Sequence, residues 1–284
     1  MRLLLFRSLW TNGYNLDAAL ADCRDGLYDG IEGPVPCEPN ARREFRTKVR
    51  DAGVPFVAEI TTGGSYLPDP ALKPEAHLDD FLRKAQASLE CAPLFLTSLA
   101  GSDAWPMAKN VDFLGRAIQA ADDLGAAVTF ETHRGRALCN PWITRDLLFQ
   151  LESLRLTCDF SHWCCACERF VLDSEPELLA MCAKRADHIH ARVGYEQGPQ
   201  VPHPAAPENQ PALEAHERWW NAIWSAPERA NRGFTTVTPE FGPDGYLHSI
   251  PFTQTPVASL DEVNSWMAHR LRECFSGHPL AAAA

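Results

Sequence analysis

Eight short apolar runs rich in Val, Ile, Leu, Phe and Thr recur along the chain, and longer stretches of helical spacing lie between them. They are "RLLLFRS" (2–8), "DGIEG" (29–33), "PFVAEIT" (55–61), "LFLTSLA" (94–100), "AVTFETH" (127–133), "RLTCDFSH" (155–162), "DHIHARVG" (187–194) and "FTTVTPEFG" (234–242). This alternation constrains the fold more than any other feature, because repeated strand–helix units demand right-handed crossovers and a parallel sheet. The helical stretches are amphipathic. Residues 111–124 place Phe113, Ala117, Ala121 and Leu124 on one face and stop at Gly125, and residues 259–275 open with Ser259 as a cap and carry Leu260, Val263, Met267, Leu271 and Cys274 on one stripe. Eight such units in 284 residues fit an α/β fold of the closed (β/α)8 TIM barrel kind, as a single domain over residues 1–280. An open doubly wound sheet is the alternative. No Gly-x-Gly-x-x-Gly or Gly-x4-Gly-Lys motif follows any strand to support it.

Charge narrows the partners. Asp and Glu number 37 against 26 Lys and Arg, a formal net charge of −11, without a long basic cluster. A surface for phosphate backbones is therefore not expected. No apolar stretch approaches the ~18 residues that span a bilayer, and the start has no small-residue cleavage site. The expectation is a cytoplasmic protein with a small-molecule substrate, no nucleic acid and no membrane, and with homo-oligomerisation left open. Ten cysteines are dispersed through a chain with an ample core, which favours reduced thiols. "CCAC" (Cys164, Cys165, Cys167) has a Cys-x-x-Cys spacing, but no second pair accompanies it, so these thiols read as small buried hydrophobes.

In a barrel the working groups stand at the C-terminal ends of strands. Here the fifth run ends in Glu131 and His133, the sixth in Asp159 and His162, the seventh in His188 and His190, and the eighth in Glu240. A lone carboxylate in such a place is ordinarily a helix cap or a solvated charge, and a lone His a satisfied polar group. Four successive strands ending this way would gather repelling charge unless a cation sat among them. Two Glu, one Asp and one His suit one divalent metal ion, Mn²⁺, Mg²⁺, Co²⁺ or Zn²⁺, with positions left for a substrate's oxygens.

The set "FETH", "CDFSH", "HIHARV" and "PEFGP" resembles the xylose isomerase-like superfamily of sugar and sugar-phosphate isomerases and epimerases. The resemblance implies Glu131, Asp159, His190 and Glu240 as metal ligands, Glu131 and Glu240 as the groups that move the proton, and His162 as a residue touching substrate near the metal. His188, two residues before His190, falls one layer deeper. Two departures from the family pattern matter. Where isomerases that shuttle a hydride between two metals carry Lys, this chain has His133, which points to proton transfer at one metal. The epimerases' Arg, six residues after the metal-binding His, is replaced by Glu196, and Arg192 shares the inward face of His190 by alternation.

Such a site can take a proton from carbon beside a carbonyl, with the cation stabilising the oxyanion and carboxylates on opposite sides removing and returning the proton. Isomerisation or epimerisation of a small polyhydroxylated carbonyl compound follows, or, with a β-hydroxyl as leaving group, dehydration of a polyol or keto-inositol-like substrate. Candidates for holding substrate are His133, Arg134, Arg136, Arg192 and Trp10. The two arginines of "THRGR" could bind a phosphate or carboxylate, or pair with acids of the next helix. Tyr66 and Trp163 are further candidate walls, and the segment from Tyr195 to Ala212, with five prolines between Pro199 and Pro211, is a lid or a rigid surface loop. Two other classes compete. An abasic-site nuclease would want a basic groove, and a non-catalytic barrel would retain no metal.

Overall fold

A computed structural model describes residues 1–229, 232–243, 245–279 and 281. Eight strands, β1 (Arg2–Ser8), β2 (Gly30–Pro34), β3 (Phe56–Thr61), β4 (Leu96–Leu99), β5 (Val128–Glu131), β6 (Leu156–Cys158), β7 (Ala186–Ala191) and β8 (Phe234–Pro239), close into a parallel barrel in chain order. β1 completes the ring beside β8, with Leu4 opposite Thr236. The helices are α1 (Leu16–Arg24), α2 (Pro39–Ala52), α3 (Pro74–Leu89), α4 (Met107–Asp123), α5 (Pro141–Gln150), α6 (Ser161–Cys167), α7 (Pro176–Arg185), α8 (Gln210–Trp224) and α9 (Leu260–Ser276). Among the described residues no helix is long and apolar enough to cross a membrane.

Local chemistry explains the element ends. Asn15 accepts from Ala18 N, Asn140 from Ile143 N and Ser259 from Glu262 N, which supplies partners for orphan amides at the starts of α1, α5 and α9. α4 begins four residues before the expected stretch, after Pro106, and buries Phe113, Leu114, Ala117 and Ala121. Gly125 then takes φ +69°, the left-handed conformation that ends a helix at little cost in glycine.

β6 corrects the sequence reading. Only three residues pair as strand, and the expected strand end at His162 is the first turn of α6. Asp159 is the cause, since its Oδ1 accepts from both the amide and the hydroxyl of Ser161 and turns the chain into the helix.

Alternation along the strands sorts the barrel interior into layers. Leu4, Phe6 and Val57 pack with Phe95 as an apolar plug at the base. Above it run hydroxyls, with Thr157 Oγ1 2.7 Å from both Thr97 Oγ1 and Thr129 Oγ1. The mouth carries carboxylates. An apolar lower interior excludes water from beneath these charges, so they depend on one another for compensation.

The segment after β7 is not a free lid. Tyr195 and Gly198 exchange backbone hydrogen bonds, Val201 N donates to Val193 O, and the buried Gln200 both donates to and accepts from the backbone of Gly242. It is a rigid strap that ties β7 to the end of β8.

Candidate active site

Strands β5 to β8 bring Glu131, Asp159, His190 and Glu240 together, each fully or almost fully buried, with one ligand atom from each lying within 4.8 Å of all the others. His190 Nδ1 is 3.0 Å from Glu240 Oε2 and 3.6 Å from Glu131 Oε1. Neither His190 Nδ1 nor Glu240 Oε2 has a hydrogen-bond partner. Buried polar atoms that make no hydrogen bond and crowd together are what a cation would satisfy. The donor set, three carboxylates and one imidazole, fits Mg²⁺, Mn²⁺, Co²⁺ or Zn²⁺.

Glu32 on β2, absent from the sequence reading, orients the histidine. Its Oε1 lies 2.9 Å from His190 Nε2 and its Oε2 3.1 Å from His188 Nε2, and Thr238 donates to the same Oε2. A carboxylate at Nε2 holds a proton there, so that a neutral His190 would turn its Nδ1 lone pair toward the cluster. His188 lies one layer down and, with Nδ1 2.8 Å from Thr236 Oγ1, supports Glu32.

Charge accumulation shifts the proton affinities of the cluster's groups. Burial pushes Glu131 up to about 7 against the pull of His190, with Glu240 and Asp159 adding repulsion. Asp159 is also raised by burial, with Arg192 opposing. Burial works against a charged His190, yet Glu240, Glu32 and Glu131 together hold it well above its ordinary range. Burial would raise Glu32 as well, but His190 and His188 outweigh it and hold the carboxyl well below the usual range. The cluster holds more negative charge than its surroundings solvate, and protons or a cation relieve it.

Arg192, just beyond β7, stands at the edge of the cluster. Its Nη2 binds Asp159 Oδ2, lies 3.3 Å from Glu240 Oε2 and donates to His162 Nε2 at 2.9 Å, and Nε donates to Ser161 Oγ. The guanidinium lies over the rings of Tyr246, at 4.5 Å, and Trp10, at 5.7 Å. Its Nη1 is buried without a partner.

A cavity of about 590 Å³ opens over this cluster, with Trp10, Tyr66, Glu59, His133, Arg192 and Tyr246 in its wall beside Glu131 and Glu240. Glu59, from β3, is a further carboxylate that the sequence reading passed over. Burial pushes it up to about 8, with Glu240 and Glu131 adding to the effect. Both missed carboxylates had a signal, for each is a charged residue within an otherwise apolar parallel strand. Tyr246 had none. A second cavity, about 300 Å³, lies at the opposite end of the barrel, where Arg155 and Arg232 are both paired with Asp187.

The remaining predicted residues separate. His133 reaches the cavity wall, with its ring 3.8 Å from that of His162. His162, expected to touch substrate, is fully buried and lies behind His133 and Arg192 outside that wall. Burial holds both imidazoles well below their ordinary range, with Arg192 adding to it, so both are neutral. Arg136, expected as a substrate ligand, is buried and donates to the carbonyls of Thr62, Ser65 and Tyr66, so it ties down the β3–α3 loop and, with it, Tyr66. Arg134 sits over Tyr246 with Nη1 3.4 Å from Cys165 Sγ, outside the cavity wall. Trp163 belongs to the core, its Nε1 donating to Leu138 O. Cys164 is fully buried with Sγ 3.9 Å from His216 Nε2.

No protein-family model matches the chain, and no curated protein matches its sequence. Solved structures do match. A probable 3-DHS dehydratase, AsbF, from Bacillus anthracis superimposes with a TM-score of 0.59 at 12% identity, over 96% of this chain and 99% of that one. A D-allulose 3-epimerase from Methylomonas sp. in complex with D-allulose gives 0.59 at 12% identity, over 96% and 97%. A xylose isomerase-like TIM barrel protein from Mycobacterium smegmatis in complex with magnesium gives 0.59 at 11% identity, over 95% and 97%. At such identities the likeness speaks for the fold alone, a closed parallel (β/α)8 barrel.

Proposed function

We propose that this chain is a divalent-metal-dependent isomerase or epimerase of a small polyhydroxylated carbonyl compound. The observation that carries the reading is the convergence of Glu131, Asp159, His190 and Glu240 at the mouth, with His190 Nδ1 and Glu240 Oε2 making no hydrogen bond. A bound divalent cation supplies Lewis-acid stabilisation of the negative charge that develops on the substrate's oxygens. Glu131 and Glu240, both on the cavity wall and three strands apart, are the bases that remove and return a proton at the carbon beside the carbonyl. Arg192 offers its free Nη1 to a substrate oxygen, and His133 and Trp10 fix the substrate's position. His162 acts through Arg192, which it holds in place.

Dehydration is the second reading, favoured by Glu59. A carboxyl that keeps its proton near neutral pH, in the same cavity wall as the bases, can donate it to a departing hydroxyl.

Turnover in D₂O tests the mechanism. A proton carried by Glu131 or Glu240 exchanges with solvent while the cavity is open, so deuterium should enter the product carbon beside the carbonyl. Product that forms entirely without label overturns the two-carboxylate assignment. Loss of water, seen in the same spectra, selects the second reading.

A further inference from the structure

Charge and hydrogen bonding around the cavity discriminate between classes of substrate. The wall contains Glu59, Glu131 and Glu240, and Asp159 lies just behind Arg192. Arg192 is the one cationic side chain in that wall among the described residues, and it is already shared between Asp159 and Glu240. Arg136 is committed to three backbone carbonyls, and Arg134 lies off the wall against Tyr246 and Cys165. The carboxyl groups outnumber the one guanidinium, and a divalent cation held by Glu131, Asp159 and Glu240 would bring the site toward neutrality without making it positive. A phosphate or carboxylate entering this space meets Glu59, Glu131 and Glu240 and one guanidinium whose charge Asp159 and Glu240 already share.

Glu59 stands apart from the others. β3 is four strands from β7 round the ring, so Glu59 faces the His190 side across the width of the barrel. Its one polar contact among the described residues is a long one, from Thr61 Oγ1 at 3.4 Å. Ionised or protonated, such a carboxyl can bond a hydroxyl, and in neither state does it attract an anion. The aromatic rings of Trp10, Tyr66 and Tyr246, with Trp10 and Tyr246 edge to face at 5.3 Å, supply apolar faces for the C–H side of a polyol.

We infer that the substrate is an uncharged polyhydroxylated compound, and that Glu59 selects for it by hydrogen-bonding one of its hydroxyls on the β3 side of the cavity. The inference rests on the metal-centred reading of the site given above.

The test uses the Mn²⁺-loaded protein, with water-proton relaxation as a readout of ligand binding and elemental analysis of the same sample for metal. The probes are D-fructose, D-tagatose and D-allulose, compared with D-fructose 6-phosphate and 2-keto-D-gluconate. At least one neutral ketose should bind, and more tightly than both anions by about tenfold or more. Glu59→Leu, which removes the hydrogen bond, should weaken that ketose by about tenfold with metal retained. Glu59→Lys should move the preference toward the phosphate ester. Three results on the loaded protein overturn the inference alone: an anion binding as tightly as the ketoses, no ketose binding, or Glu59→Leu binding as wild type. A protein that takes up no Mn²⁺ overturns the proposed function, and the inference with it.

Discussion

Replacing Glu32 with Gln tests whether the cluster's geometry is set from beneath. The carboxylate accepts from His190 Nε2 at 2.9 Å while its other oxygen meets His188 Nε2 at 3.1 Å and Thr238 Oγ1. An amide of the same shape keeps an acceptor for His190 and turns a donor toward His188. His188 can adapt, because its Nδ1 already faces Thr236 Oγ1 at 2.8 Å and can take the proton there. The fold should survive. What is lost is the negative charge that polarises His190, and loss of such a partner weakens metal binding by about 10–100-fold, or about 1.4–2.8 kcal/mol. Glu32→Leu goes further and strands two buried imidazole nitrogens, at about 1–3 kcal/mol each, so the metal-free protein itself should lose about 2–6 kcal/mol. Competition for Co²⁺ against a chromophoric chelator reads the first effect, and urea unfolding reads the second. A Glu32→Gln protein that binds Co²⁺ with wild-type affinity would show that packing alone holds His190, and would refute the reasoning.

Arg136→Met should free the β3–α3 loop from the bonds to Thr62, Ser65 and Tyr66, seen as faster hydrogen exchange over residues 62–67 with metal stoichiometry unchanged; unchanged exchange would show that the arginine does not hold the loop. Gly242→Ala puts a Cβ 1.8 Å from the Trp10 ring, which must shift within the cavity wall, so ligand affinity should fall while metal stays bound, and a titration matching wild type would contradict the placement of Trp10. Burial pushes His216 down to about 4, so the unfolded chain takes up its proton first as pH falls. The stability this contributes is present above about pH 6.5 and lost toward pH 4, amounting to about 2 kcal/mol between pH 7 and pH 5. Urea midpoints at the two pH values should differ by more in wild type than in His216→Gln, and equal differences would remove His216 as the cause.

The chain's own order determined a great deal about this protein. Eight runs with turn and cap residues between them specify eight strands, because hydrophobic periodicity and capping are local and are read over a few residues. Alternation with a period of two was enough to set Glu131, His190 and Arg192 facing inward. At β6 a local competition was misread, since Asp159 stopped the strand by capping Ser161 while keeping its other oxygen for Arg192. The closed ring decided the rest. It set β2 beneath His190 and β3 across from β7, which made Glu32 an orienting partner and Glu59 a wall of the cavity. It also separated two arginines that look alike in "THRGR", sending Arg136 to backbone carbonyls and Arg134 to an aromatic ring. Coulomb and hydrogen-bond energies depend on distances in space, and residues as far apart in the chain as Glu32 and His190 acquire a distance only when the barrel closes.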